Sequence, residues 1–285
     1  MRKAILKTKP KCVVSFIYTT NILVLLATRF LLCKVIISER NYPKYSKEKR
    51  KAWFWLRRTL YPLADHLVVQ TYSIKEYFRS YNGSVQVIPN SVKVDPESLY
   101  NKPEVFLPAC NKLVAMGSMT TQKGFDLLIE VFANLYRHHS DWNLIILGEG
   151  ALKNELKSRA RELHIENAVI FAGRVKNPFS IMSRCDLFVL SSRYEGFPNA
   201  LLEAMACGLP VVSFDCPTGP RQLIHHEING LLVPPEDKYE LEKALHSLME
   251  KKSLREKMSK QAAKVRKRYA PEEIMTEWEK LAFGG

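Results

Sequence analysis

From Leu113 onward, short apolar runs alternate with longer stretches of helical period, and that alternation limits what the chain can fold into. Leu113 to Met116, Asn143 to Leu147, Ala168 to Phe171 and Leu187 to Leu190 read as strands; Gly124 to Tyr136 and Leu152 to Leu163 read as intervening helices. Helices that cross from one strand to the next make those strands parallel, so the class is α/β, doubly wound. Open parallel sheets bind ligands at the carboxyl ends of their strands.

The stretch from Tyr194 to Val212 falls at such an end. It reads as strand end, glycine turn, short helix and next strand, with Glu195 and Glu203 eight positions apart. Pro198 suits a first helical turn, where its missing N–H is no loss. Asn199 and Glu203 then share a helix face. A helix start offers unpaired N–H groups and a positive dipole end to an anion, and Gly196 lets that backbone approach a phosphate. Eight residues of mostly helical chain separate the acids by roughly 12 Å, enough for a diphosphate with a sugar at each end. Vicinal hydroxyls donate to carboxylates, so each acid can hold one sugar. Spacing alone equally allows an N-terminal helix charge at Glu195 and a solvated Glu203.

Glu195 and Glu203, followed by Gly208-Leu209-Pro210-Val211-Val212, resemble the E-x7-E signature of retaining glycosyltransferases of family 4. Val87-Ile88-Pro89-Asn90, Gly117 with Lys123-Gly124-Phe125, Leu147-Gly148-Glu149-Gly150, Phe171-Ala172-Gly173 and Asn229-Gly230-Leu231 resemble further family motifs in the expected order. The resemblance implies the GT-B fold, two Rossmann-like doubly wound domains facing a cleft. It implies that Glu195 and Lys123 are the catalytic residues: Glu195 holds hydroxyls of the transferred sugar, and Lys123 neutralises the departing diphosphate. Glu203 would hold the ribose, and Gly196, Phe197, Pro198 and Asn199 would line sugar and phosphates. Gly117 and Ser118 would form the facing loop, where the family usually places a basic residue at the Ser118 position. Arg174 would stack on the base. The donor is then a nucleotide-diphosphate sugar, a UDP-sugar, with no metal and no cofactor. The acceptor is a lipid-linked glycan or polysaccharide at the inner face of the cell membrane, which places the chain in the cytoplasm.

Forty-three Lys and Arg against 29 Asp and Glu give a formal charge of +14, which calls for an anionic partner. Neither zinc-finger spacing nor an RNA-recognition signature accompanies that charge, which argues against nucleic acid. The six cysteines form no C-x-x-C pair and read as reduced thiols. A basic start followed by an apolar stretch also fits a leader or anchor, but Asn21, Arg29 and Lys34 interrupt the run before it is long enough to span.

The first part reads as one more βα series: a strand over Cys12 to Tyr18, a helix over Asn21 to Leu32 capped by Thr19 or Thr20, and strands over Lys34 to Ser38, Ala64 to Thr71 and Val85 to Ile88. Ser73 is expected to cap a helix over Ile74 to Ser80. Ser38-Glu39-Arg40-Asn41 resembles a segment of polysaccharide glycosyltransferases that faces the cleft; a plain capped loop is the alternative. Lys44 to Arg58 interleaves basic residues with Trp53, Phe54 and Trp55, which suits peripheral contact with an anionic membrane or a helix with a solvated charged face and a buried aromatic face. The expected division is residues 1–95 as a partial acceptor-side domain with 271–285 packing back on it, 96–112 as linker, and 113–270 as the nucleotide-sugar domain. A helical pair is expected over Glu240 to Arg268. No glycine precedes Gly83, so the glycine-rich loop that opens the family's first domain is missing and the N-terminal domain reads as incomplete. That suggests a partner completing its sheet, and a non-catalytic nucleotide-sugar-binding chain as the alternative to an enzyme.

Overall fold

A computed structural model describes residues 1–45 and 51–284. The chain forms two compact units, residues 1–91 with the segment from Pro271, and Val92–Ala270.

In the first unit α1 (Arg2–Thr8) precedes β1 (Cys12–Phe16), α2 (Tyr18–Thr28), β2 (Lys34–Ser38), α3 (Lys51–Leu60), β3 (His66–Val69), α4 (Tyr72–Tyr77) and β4 (Ser84–Val87). The strands pair in parallel in the order β1-β2-β3-β4. Val35, Ile37, Leu67 and Val69 point into a core shared with Ile22, Leu25, Tyr61 and Ile74. The basic amino-terminal segment is helical without burying a residue, and Arg2 Nη1 donates to the carbonyls of Ala27 (2.8 Å) and Arg29 (2.9 Å) at the end of α2. Helix α2 starts before the two threonines expected to cap it, because its first turn closes on the Ile17 carbonyl (Asn21 N, 2.9 Å). Helix α4 likewise starts early: Thr71 rather than Ser73 is its cap, the Thr71 hydroxyl accepting from Ile74 N at 3.2 Å.

Of the basic aromatic run, residues 46–50 lie outside the described residues. On α3, Trp53 packs partly into the core, while Phe54 and Trp55 are exposed. Arg57 is buried, its Nε 3.2 Å from Glu39 Oε1. Neither a wholly solvated charged face nor a wholly buried aromatic face describes this helix.

The second unit opens with α5 (Pro96–Tyr100) and continues as β5 (Asn111–Met116), α6 (Phe125–Tyr136), β6 (Trp142–Leu147), α7 (Lys153–Glu162) and β7 (Val169–Gly173). Then follow α8 (Pro178–Met182), β8 (Leu187–Leu190), α9 (Asn199–Ala206), β9 (Val211–Phe214), α10 (Pro220–Leu223) and β10 (Leu231–Val233). It ends with α11 (Lys238–Glu250), α12 (Lys252–Ala262) and α13 (Val265–Arg268), after which α14 (Pro271–Phe283) joins the first unit, where Trp278 meets Phe16 at 5.7 Å between ring centroids. Where a helical pair was expected there are three helices: Lys251 leaves helical geometry at φ −99, ψ 85 and divides α11 from α12, and a turn at Ala263 and Lys264 divides α12 from α13. Helix α5 is held on α8 by Asn177 Nδ2 to Ser98 O (2.9 Å) and near it by Arg184 Nη1 to Leu99 O (3.0 Å).

The second sheet is parallel throughout, in the order β10-β9-β8-β5-β6-β7. From β5 the chain winds outward through β6 and β7, then returns to the other side of β5 at β8. The reversal therefore lies between the carboxyl ends of β5 and β8, the place where doubly wound sheets bind ligands. Among the described residues no helix is long and apolar enough to cross a membrane.

Candidate functional site

Two loops leave the sheet at its reversal, one after β5 and one after β8. The first carries Lys123 and the second Glu195, and their side chains meet: Lys123 Nζ lies 2.6 Å from Glu195 Oε1. Glu195 is 5% exposed, and the Ser192 hydroxyl donates to the same oxygen at 2.6 Å. Burying a charged pair costs solvation that good geometry and extra hydrogen bonds must offset. Backbone and side-chain hydrogen bonds supply that geometry by stitching the loops together. Gln122 Nε2 donates to Tyr194 O (2.9 Å), Arg193 N to Gln122 O (2.8 Å), and Ser191 Oγ to Lys123 O (2.9 Å). Arg193 also forks onto Asp126 at 2.9 and 2.6 Å, and its Nε reaches Glu236 at 2.8 Å. The Arg193 hydrogen bonds hold the Asp126 carboxyl below its ordinary value, so this clamp stays charged at neutral pH.

Glycines make room for the pair. A Cβ at Gly117 would lie 3.0 Å from Lys123 Cδ and Cε, so a side chain there would press on the lysine stem. On the other side, Gly219 adopts φ 101, and a Cβ there would lie 2.6 Å from Pro198 Cδ. Its neighbour Thr218 donates from its hydroxyl to the Glu195 carbonyl. The loop after β9 thus holds the turn that aims Glu195.

Helix α9 begins one residue later than expected. Pro198 is its cap at φ −82, ψ 82, and Leu202 N closes the first turn on the Pro198 carbonyl at 3.1 Å. Phe197 and Pro198 are buried and Asn199 is exposed. Glu203 lies further along α9, half-buried, and burial pushes its carboxyl above the ordinary value. No cation among the described residues pairs with it. The far end of α9 is fixed by Arg266 Nε on Ala206 O (2.5 Å) and, beyond it, Ser259 Oγ on Gly208 O (2.5 Å).

The structure brings Gly117, Lys123 and Glu195 together, with Gly196 to Asn199 continuing from the acid into α9. Ser118 is exposed on the β5 loop. Arg174 is exposed after the end of β7, two strand spacings from β5, or roughly 10 Å at about 4.8 Å each. It does not touch the pair. Ser192, Arg193, Asp126 and Thr218 were not foreseen. Only the Gly219-Pro220 break after an apolar strand could have marked the third loop. Among the described residues no group of three His, Cys, Asp or Glu is placed to hold a metal.

The arrangement offers one ammonium and a helix start for a diphosphate, and two carboxylates for hydroxyls. A family profile described as glycosyl transferases group 1 matches residues 97–265. The chain is 34% identical over 210 residues to an uncharacterised glycosyltransferase of Methanocaldococcus jannaschii, covering 69% of this chain and 52% of that protein. It thus spans about half the length of that relative. Over 286 aligned positions it is 29% identical to the Campylobacter jejuni GalNAc-alpha-(1->4)-GalNAc-alpha-(1->3)-diNAcBac-PP-undecaprenol alpha-1,4-N-acetyl-D-galactosaminyltransferase, covering 99% of this chain and 77% of that one. Anabaena HepE, solved in complex with UDP, superposes with a TM-score of 0.81 at 19% identity, over 94% of this chain and 78% of that one. This likeness is one of fold, the GT-B class.

Proposed function

The chain belongs to the group 1 glycosyltransferase family, and from that premise we propose that it transfers a hexose or N-acetylhexosamine from a UDP-sugar to a lipid-linked or polysaccharide acceptor, with retention of configuration as in family 4. The observation that carries this reading is the Lys123–Glu195 pair at the sheet reversal, 2.6 Å apart. A cation held there by a carboxylate is poised to exchange that partner for the donor diphosphate. As the glycosidic bond breaks, negative charge grows on the diphosphate, and a preplaced ammonium stabilises it more in the transition state than in the ground state. Glu195, released from the lysine, accepts from hydroxyls of the transferred sugar. Glu203 accepts from the ribose, Arg174 covers the base, and the backbone from Gly196 to Asn199 with Gly117 and Ser118 surrounds the phosphates.

The relative from C. jejuni bears the name of an enzyme acting on an undecaprenyl diphosphate-linked glycan, which supports a lipid-linked acceptor. The first unit takes the acceptor side of the reaction. Exposed Phe54 and Trp55 on α3, with Arg58 beside them, support peripheral contact with an anionic membrane at its cytoplasmic face. A second reading, a non-catalytic nucleotide-sugar-binding chain that works with a partner, is favoured by the edge position of β1, which pairs with β2 alone among the described residues and exposes Val14 and Phe16.

A donor screen tests the reading. The full chain is mixed with a panel of nucleotide sugars and bacterial membranes, and nucleoside diphosphate release and labelled lipid are measured. Release from one UDP-sugar, dependent on membranes, supports transfer. UDP binding with no release from any donor supports the second reading instead.

A further inference from the structure

Arg40 follows β2 at the carboxyl end of the first sheet, and among the described residues its charge has no acidic partner. Its guanidinium donates to Asn90 Oδ1 at 2.5 Å. With the Gln70 amide turned so that its nitrogen donates to the Arg40 carbonyl (3.0 Å), the amide oxygen accepts from Arg40 Nη1 at 3.1 Å. The cation also lies over the rings of Phe16 (4.6 Å to the centroid) and Trp278 (6.0 Å). Every one of these partners is neutral. Burial accordingly pulls the guanidinium below its ordinary value, the mark of a cation without a counter-charge.

Arg40 stands at one end of a cavity of about 440 Å³ between β1 and α14, within the range of about 300–1,000 Å³ usual for small-molecule sites. Val14, Phe16, Met275, Trp278 and Phe283 make its walls, with the exposed Glu279 as its one lining acid. Val14, Phe16 and Met275 are 39%, 42% and 53% exposed, so apolar surface stands open to water along the groove. The lining combines an uncompensated cation at one end with aromatic and aliphatic walls over the rest. Its charge and shape complement an anionic headgroup joined to a hydrocarbon chain.

We infer that this groove binds a phosphate-bearing lipid, the phosphate at Arg40 and the hydrocarbon between β1 and α14. The choice of a phosphorylated lipid over other amphiphilic anions rests on the reading of the chain as a transferase for lipid-linked acceptors. The headgroup donor is Arg40, and the walls account for the chain.

Isothermal titration of the full chain with farnesyl diphosphate, with UDP held at saturation so that any anion site around Lys123 is filled, tests this. Binding at least tenfold tighter than that of inorganic diphosphate or of farnesol is expected. Arg40→Met should lower the affinity at least tenfold, and Met275→Glu, at an exposed position where folding is not at stake, should lower it as well. Equal affinity for inorganic and farnesyl diphosphate, or unchanged binding in both variants, overturns the inference. So does a wild-type dimer that Met275→Glu abolishes without any farnesyl diphosphate binding, which would give the groove to a second copy. A separate titration with UDP alone keeps the two readings apart. UDP binding without farnesyl diphosphate binding defeats the groove and leaves the transferase reading. Farnesyl diphosphate binding that needs Arg40, without UDP binding, does the reverse.

Discussion

Glu195 and Glu203 are chemically alike but stand in different surroundings, and their substitutions should separate. Glu195 shares its Oε1 between Lys123 and Ser192, so Glu195→Gln removes a sugar ligand and also frees the lysine. The expected outcome is loss of transfer with a UDP affinity no lower than wild type, measured by calorimetry beside a turnover assay. Glu203→Gln should weaken UDP itself by about 1.5–3 kcal/mol, the scale of one charged hydrogen bond, or roughly tenfold to a hundredfold. Unchanged UDP affinity in Glu203→Gln removes the ribose assignment. Burial raises the Glu203 carboxyl from its ordinary value of 4.5. The folded state then binds this proton more tightly than the unfolded chain, so the stability it contributes is present below the ordinary value and lost as pH rises through the folded one. Glu203→Gln should therefore raise the melting temperature of the ligand-free chain near pH 7, with the gain shrinking toward pH 4.5. A gain that grows on acidification would reverse the sign of that argument.

At the scale of elements, the site is three loops held in register. The loop after β5 is tied to the loop after β8 by backbone and side-chain bonds, and the loop after β9 closes from the far side through Thr218 and Gly219. Gly219→Ala places a methyl 2.6 Å from Pro198 Cδ at φ 101. The expected cost is about 1–3 kcal/mol of stability, seen in denaturant unfolding, together with weaker UDP binding because the start of α9 must shift. Unfolding and binding both at wild-type level would show that this loop does not hold the turn. Strands and long helices were legible in the sequence because apolar period alone decides them: Lys34–Ser38 and Leu187–Leu190 match the expected bounds to the residue. Starts of helices were less legible. Thr71 outcompetes Ser73, and Pro198 caps rather than opens α9, because the bond that closes the first turn depends on where the preceding strand releases the chain.

At the scale of the whole molecule, the motifs that carry the candidate site were readable and the lysine's partner was not. Glu195, Glu203 and Lys123 stand in recognisable motifs, yet Lys123 and Glu195 lie 72 positions apart, and only the reversal between β5 and β8 brings them together. Arg193 and Asp126 carry no local signal, since they matter through a contact made by that reversal, and Thr218 matters through a contact between the neighbouring loops after β8 and β9. In the first unit, Arg40 stood in a motif noted for its resemblance, but nothing local foretold that its charge would be left among neutral partners. The formal charge of +14 adds a general attraction for anions, which salt screens, whereas a bond made at one partly buried lysine should persist.

The most direct test of the central claim sets UDP against uridine on wild-type protein and on Lys123→Ala, by calorimetry at physiological salt. The account predicts that UDP binding weakens roughly tenfold to a hundredfold, the scale of a lost charge-assisted bond, while uridine binding stays at its wild-type value. Equal weakening of both ligands, or no UDP binding by the wild-type chain, would contradict it.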